Sequence, residues 1–163
     1  MNRRQAFLTA FGASTAVAAA TGQQQSSGGI TMIAPCRAAD VRKTPDRFGG
    51  DGGNWAFSYD TDRFGSIVDV DVSNCVPGSA TGVFATITIV DNWQAPGYAT
   101  AWPTGGRRPT ASFANFRAGR DVQATTIPVA LSSSQQFSVF TSSHRWTSSN
   151  QRSFVVDVVA YVS

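Results

Sequence analysis

Residues 66–73 read SIVDVDVS, and their apolar and acidic side chains alternate with a period of two. Successive side chains of an extended chain point to opposite faces, so this period places the valines on one face and the aspartates on the other. A helix would spread both sets around its circumference. The stretch therefore predicts a half-buried β-strand.

Two further stretches indicate strands. Residues 82–90, GVFATITIV, alternate in the same way, and the chain closes with an apolar stretch, FVVDVVAYV, at residues 154–162. For residues 82–90 the predicted faces are Val83, Ala85, Ile87 and Ile89 on one side and Phe84, Thr86 and Thr88 on the other. Such patterns are typical of strands with one face toward a core.

The composition extends this prediction to the whole chain. Glu is absent, Lys occurs only at Lys43, and Leu occurs only at Leu8 and Leu131. These residues favour helices, whereas the abundant Val, Ile, Thr and aromatic residues favour strands. About eight or nine short strands separated by Gly- and Pro-rich turns predict an all-β fold, a single β-sandwich or jelly-roll-like domain.

The N-terminus has the pattern of an export signal. Arg3 and Arg4 precede a mildly apolar stretch at residues 6–20, which ends in three alanines. This order predicts a signal over residues 1–20 and a mature chain that begins near Thr21. The letters RRQAFL resemble a twin-arginine signal, and the general secretory route stays open. An uncleaved docking arm is the alternative.

The rest of the chain divides simply. Residues 21–29, TGQQQSSGG, predict a flexible linker, and residues 30–163 the folded domain. No later segment is apolar and long enough to span a membrane.

The formal net charge is +3, but without Arg3 and Arg4 the chain has eleven basic and ten acidic residues, a net charge of about +1. Charge therefore gives no indication of a nucleic-acid partner.

The two cysteines, Cys36 and Cys75, form an even pair. In an exported protein such a pair predicts a disulfide, and two separate buried thiols are the alternative. The localisation expected is extracellular or at the cell surface, or periplasmic if the host has two membranes.

Catalytic and metal-binding patterns are weak. His144 is the only histidine and lies in a Ser-rich stretch, and no G-x-S-x-G motif occurs. Asp60, Asp62, Asp69 and Asp71 partly imitate a calcium loop, but Phe64 occupies a ligand position and the following residues alternate like a strand. We therefore expect no catalytic residue, no metal and no cofactor.

Arginine and aromatic residues are concentrated near residues 102–120. Arg107 and Arg108 form an Arg-Arg-Pro sequence with Pro109, flanked by Trp102, Phe113, Phe116, Arg117 and Arg120. Arg beside aromatic residues can bind glycans, acidic polymers or a protein. The alternative is that Trp102 and the phenylalanines belong to the core, with Arg107 and Arg108 exposed.

Several motifs occur together in one order. They are Cys-Arg-x-x-Asp-x-Arg from Cys36, the strand at residues 82–90, APGYATAWPTGGRRPTASFANFRAG at residues 95–119, and FVVDVVAYV at the end. This series resembles a β-rich module of exported bacterial proteins, often actinobacterial. The chain departs from that module at Ala160, where Gly is usual, and in ending Tyr-Val-Ser.

The resemblance implies an extracellular module without a known catalytic activity. The module carries acidic and basic residues at the positions of Asp157 and Arg37, which implies a structural ion pair between them. Asp157 lies within an apolar strand, where a buried carboxylate needs a partner.

Three functions are consistent with these patterns. The first is an exported, non-catalytic structural or interaction protein, a subunit of a cell-surface or extracellular assembly such as a layer, filament or complex, partnered by itself or another surface protein. The second is a carbohydrate-binding or adhesive module that uses Trp93, Tyr98, Trp102 or Trp146 to stack on sugars. The third is a virion surface or decoration protein. A hydrolase has the least support.

Overall fold

The computed structural model describes residues 28–41, 55–60, 65–90, 96–117, 122–142 and 154–163, and within residues 55–60 only the side chains of Ala56 and Ser58. All regular structure in these residues is β-strand, which confirms the predicted all-β class. The nine strands are β1 (Ile30–Asp40), β2 (Trp55–Asp60), β3 (Gly65–Asp71), β4 (Gly82–Ile89), β5 (Gly97–Pro103), β6 (Ala114–Phe116), β7 (Gln123–Ala130), β8 (Gln136–Ser142) and β9 (Phe154–Val162).

The strands form two antiparallel sheets in a sandwich-like arrangement. One has the order β1-β9-β4-β7, and the other has the order β2-β3-β8-β5-β6. Strands distant in sequence are neighbours, because the last strand of the chain lies between β1 and β4. Such exchange between early and late strands is common in sandwich folds.

The core lies between the inner faces of the sheets. Its larger fully buried side chains are Val68, Val70, Val72, Val83, Ile87, Ile89, Phe137, Val139, Phe154, Val156 and Val158. The predicted faces of β3 are confirmed, because Val68 and Val70 are buried while Asp69 and Asp71 point outward and are half-buried. Those of β4 are confirmed as well, because its predicted inner residues are buried and its predicted outer residues are half-buried. Burial of these apolar side chains is the main term that stabilises the two layers.

The short strand β6 closes one edge of the five-stranded sheet. Ala114–Phe116 pair with Gly97–Ala99 of β5, and Phe113 donates its N–H to the Ala99 carbonyl at the start of this pairing.

Candidate functional site

The disulfide between Cys36 and Cys75 ties β1 to the segment that connects β3 to β4. Cys36 lies in β1, at the edge of the four-stranded sheet, and Cys75 lies in the turn that follows β3 of the five-stranded sheet. Both cysteines are half-buried, and Cys75 packs against the core. The predicted bridge is thus present, and it ties an edge strand to the connection between the two sheets.

The ion pair between Arg37 and Asp157 is also present. β1 and β9 place the two residues directly opposite each other. The guanidinium donates from Nε to Asp157 Oδ1 at 2.5 Å and from Nη2 to Oδ2 at 3.3 Å, a two-point contact. Nη1 also lies 3.4 Å from Oδ2 of the buried Asp40. These contacts hold the edge strand β1 against β9. The charged groups of Arg37, Asp157 and Asp40 are all paired with one another, as expected of a contact that stabilises the fold.

Aromatic side chains form a second buried layer, on the outer face of the five-stranded sheet. Trp102 on β5 lies opposite Ser138, and Phe140 on β8 lies between Thr100 and Ile67. Phe140 is fully buried and Trp102 is only 7% exposed, although neither belongs to the core between the sheets. We call Tyr98, Trp102 and Phe140 the outer aromatic layer.

Arg108 covers this layer. Its guanidinium carbon lies 4.0 Å from the centre of the Phe140 ring, and the ring of Tyr98 packs at 5.6 Å on Phe140. The segment that carries Arg108 leaves β5 through a turn in which Gly105 has a φ of 81°, a conformation that favours glycine. Arg107, its neighbour, is exposed. The two arginines therefore have different roles.

A short hydrogen-bonded chain lies beside the aromatic layer. The Ser138 hydroxyl donates to Asp69 Oδ1 at 2.5 Å, and Thr104 Oγ1 lies 3.1 Å from Ser138 Oγ. Because a carboxylate can only accept, the single hydroxyl hydrogen of Ser138 is used in the bond to Asp69, and Thr104 is the donor to Ser138. These contacts fix the start of the segment that crosses the outer face. They occupy Asp69, which the sequence had offered as a metal ligand.

We predict that Arg108→Ala lowers the free energy of unfolding by about 1 kcal/mol, because it removes a cation–π contact in a partly buried place. Arg107→Ala is the matched control. It removes an exposed guanidinium from the adjacent residue and should change stability by less than about 0.5 kcal/mol. Urea unfolding of both variants measures the difference. Equal values would mean that the stacked guanidinium contributes nothing.

The sequence does not predict that the apolar residues at the start of β1 are exposed. Ile30 is 61% exposed and Met32 is 74% exposed, on the edge strand of the four-stranded sheet. The sequence ITMIAPC carries apolar residues at both parities, so its period does not reveal which face is buried. The one feature of the sequence that indicates an unprotected strand is that residues 30–36 contain no charged residue.

Several predicted residues lie outside the described part of the chain, namely Trp93, Trp146, His144, Asp62 and Arg120. Within the described part, no group of three or more His, Cys, Asp or Glu side chains is placed to hold a metal ion. No described helix has the length and apolar character required to cross a bilayer.

Two surfaces thus stand out in the described residues, the covered aromatic layer and the apolar edge of β1. They lie on different sheets, and only the second presents large apolar side chains to solvent. No protein-family model matches the chain, and a comparison with curated proteins finds no match.

Proposed function

We propose that this protein is an exported, non-catalytic interaction protein, a subunit of an extracellular or cell-surface assembly. The observation that carries the proposal is the pair of exposed apolar side chains, Ile30 and Met32, on an edge strand. Edge strands are normally protected from other chains by charges, prolines or covering loops. An apolar edge suits a protein that works by docking.

Export is supported by the disulfide and by the leader-like N-terminus. Bridges such as Cys36–Cys75 persist in oxidising compartments and are rare where thiols are kept reduced. The bridge also removes both cysteines of the chain from nucleophilic chemistry. With His144 as the only histidine, the sequence offers few groups for proton transfer near neutral pH.

Carbohydrate binding has less support from the described residues. A sugar-stacking residue must present its ring face to solvent, but Trp102 is largely buried and Arg108 covers Phe140. Tyr98 is half-buried and packs on Phe140. Association through the β1 edge is therefore the function that the geometry favours.

The proposal predicts that chemical cross-linking of intact producing cells captures this protein in adducts of higher mass. Identical cells lysed in denaturant before cross-linking are the control, because denaturation abolishes specific contacts. Immunodetection of this chain in both samples measures the difference. A protein that stays entirely free and uncross-linked, while the purified chain turns over a substrate, would contradict the proposal.

A further inference from the structure

The backbone of β1 offers hydrogen bonds on its outer side. Ser163 donates its N–H to the Gly29 carbonyl at 3.4 Å, and the register continues with Ile30 opposite Val162 and Thr31 opposite Tyr161. In an antiparallel pair, alternate residues direct their N–H and C=O to opposite sides of the strand. Gly29 and Thr31 therefore face β9, and Ile30 and Met32 direct their backbone groups away from it.

The side chains beside this edge are also apolar. Met32 lies opposite Ala160 of β9, which lies opposite Phe84 of β4, which in turn lies opposite Pro128 of β7. Residues that are directly opposite share one face of a sheet. Met32 thus extends an uncharged row across the outer face of the four-stranded sheet.

Within the part of the chain that the structure describes, no charge, proline or irregular register protects this edge over residues 30–32. This stretch contains no charged residue. The nearest charge on the strand, Arg37, is already bound to Asp157 and Asp40. Protection of the edge begins directly after Met32, with the irregular register between Met32 and Cys36 and with Pro35.

We propose that the partner at this edge is a second copy of this chain, paired antiparallel through residues 30–32 about a two-fold axis perpendicular to the sheet. The inference rests on the proposed function and names its partner. A charged partner strand would find no counter-charge here, so complementarity requires a neutral, apolar strand. A second β1 is such a strand, and an isologous contact needs only one self-complementary patch.

The register of the pair follows from the backbone directions. Pairing centred on Thr31 places Ile30 opposite Met32 of the partner subunit, and both residues direct their N–H and C=O toward the contact. The same two-fold axis places the outer faces of the two four-stranded sheets on one side of the combined sheet, so the apolar rows of the two copies lie next to each other. The contact extends the four-stranded sheet into a continuous sheet across both subunits.

The test compares Met32→Lys with Val122→Lys in the purified, oxidised full-length chain. Val122 is 64% exposed and precedes β7, on the opposite edge of the same sheet, so it is a matched apolar-to-charged control. Sedimentation equilibrium over a concentration series should show a dimer for the wild type and for Val122→Lys. Met32→Lys places like charges beside the two-fold axis and should raise the dimer Kd on the order of tenfold or more.

A photo-crosslinking amino acid at position 30 locates the contact. In a mixture of isotopically heavy and light protein, the inference predicts heavy–light cross-links that map to residues 30–32. A dimer unaffected by Met32→Lys, or cross-links that map elsewhere, would overturn the inference and leave the proposed function standing. A monomer that cross-links only to other proteins on cells would do the same. No association of any kind would overturn both.

Discussion

Replacing Cys36 and Cys75 together by alanine is expected to lower the free energy of unfolding by roughly 4 kcal/mol. The cysteines are separated by 39 residues, and a bridge across a loop of this length removes much conformational freedom from the unfolded chain. The bridge also ties an edge strand to the connection between the two sheets. Its loss therefore frees β1 in a way that no single apolar substitution does.

Denaturant unfolding of the double variant beside the oxidised wild type measures this effect. Wild-type protein kept reduced with a thiol is the control, because it lacks the bridge but keeps both cysteine side chains. The reduced wild type and the double variant should lose similar stability. A loss below about 1 kcal/mol in both would show that the sheets hold β1 without the bridge.

Phe140→Ala is expected to lower the free energy of unfolding by about 3–5 kcal/mol. A sandwich of two sheets normally leaves its outer faces to solvent, where such a substitution would cost little. Phe140 points to an outer face yet is fully buried beneath Arg108 and beside Tyr98. Its ring also lies over Gly65, where a Cβ would overlap it. The substitution therefore empties a packed site.

Phe137→Ala is the reference for this prediction, because Phe137 is on the same strand and equally buried but faces the core. Urea unfolding should give losses of similar size for the two variants. Arg108→Ala should add little in the Phe140→Ala background, because its stacking partner is gone. A small loss for Phe140→Ala beside a large one for Phe137→Ala would mean that the outer layer is only a loose cover.

The sequence alone predicted the inward and outward faces of individual strands and the disulfide of this protein. Period-two alternation depends on the geometry of an extended chain alone, so SIVDVDVS and GVFATITIV predicted which side chains of β3 and β4 face the core. The two cysteines predicted their bridge because a chain with one pair of cysteines has a single way to form an internal disulfide. The resemblance to a known module implied the pair of Arg37 and Asp157, which the register of β1 and β9 places opposite each other.

The candidate surfaces depended on tertiary structure. Periodicity shows which residues share a face, but it contains no information about which strand lies beside which. In β8 the same alternation puts Phe137 inward and Phe140 outward. Phe140 is buried on that face beneath Arg108 and against Tyr98 and Gly65, which are all distant from it in sequence. Met32 is exposed because it points to the outer face of its sheet and because β1 lies at the edge of that sheet, beside the last strand of the chain. The sequence determined faces, strands and the covalent bridge, whereas strand order and packing decided which of those faces meets solvent.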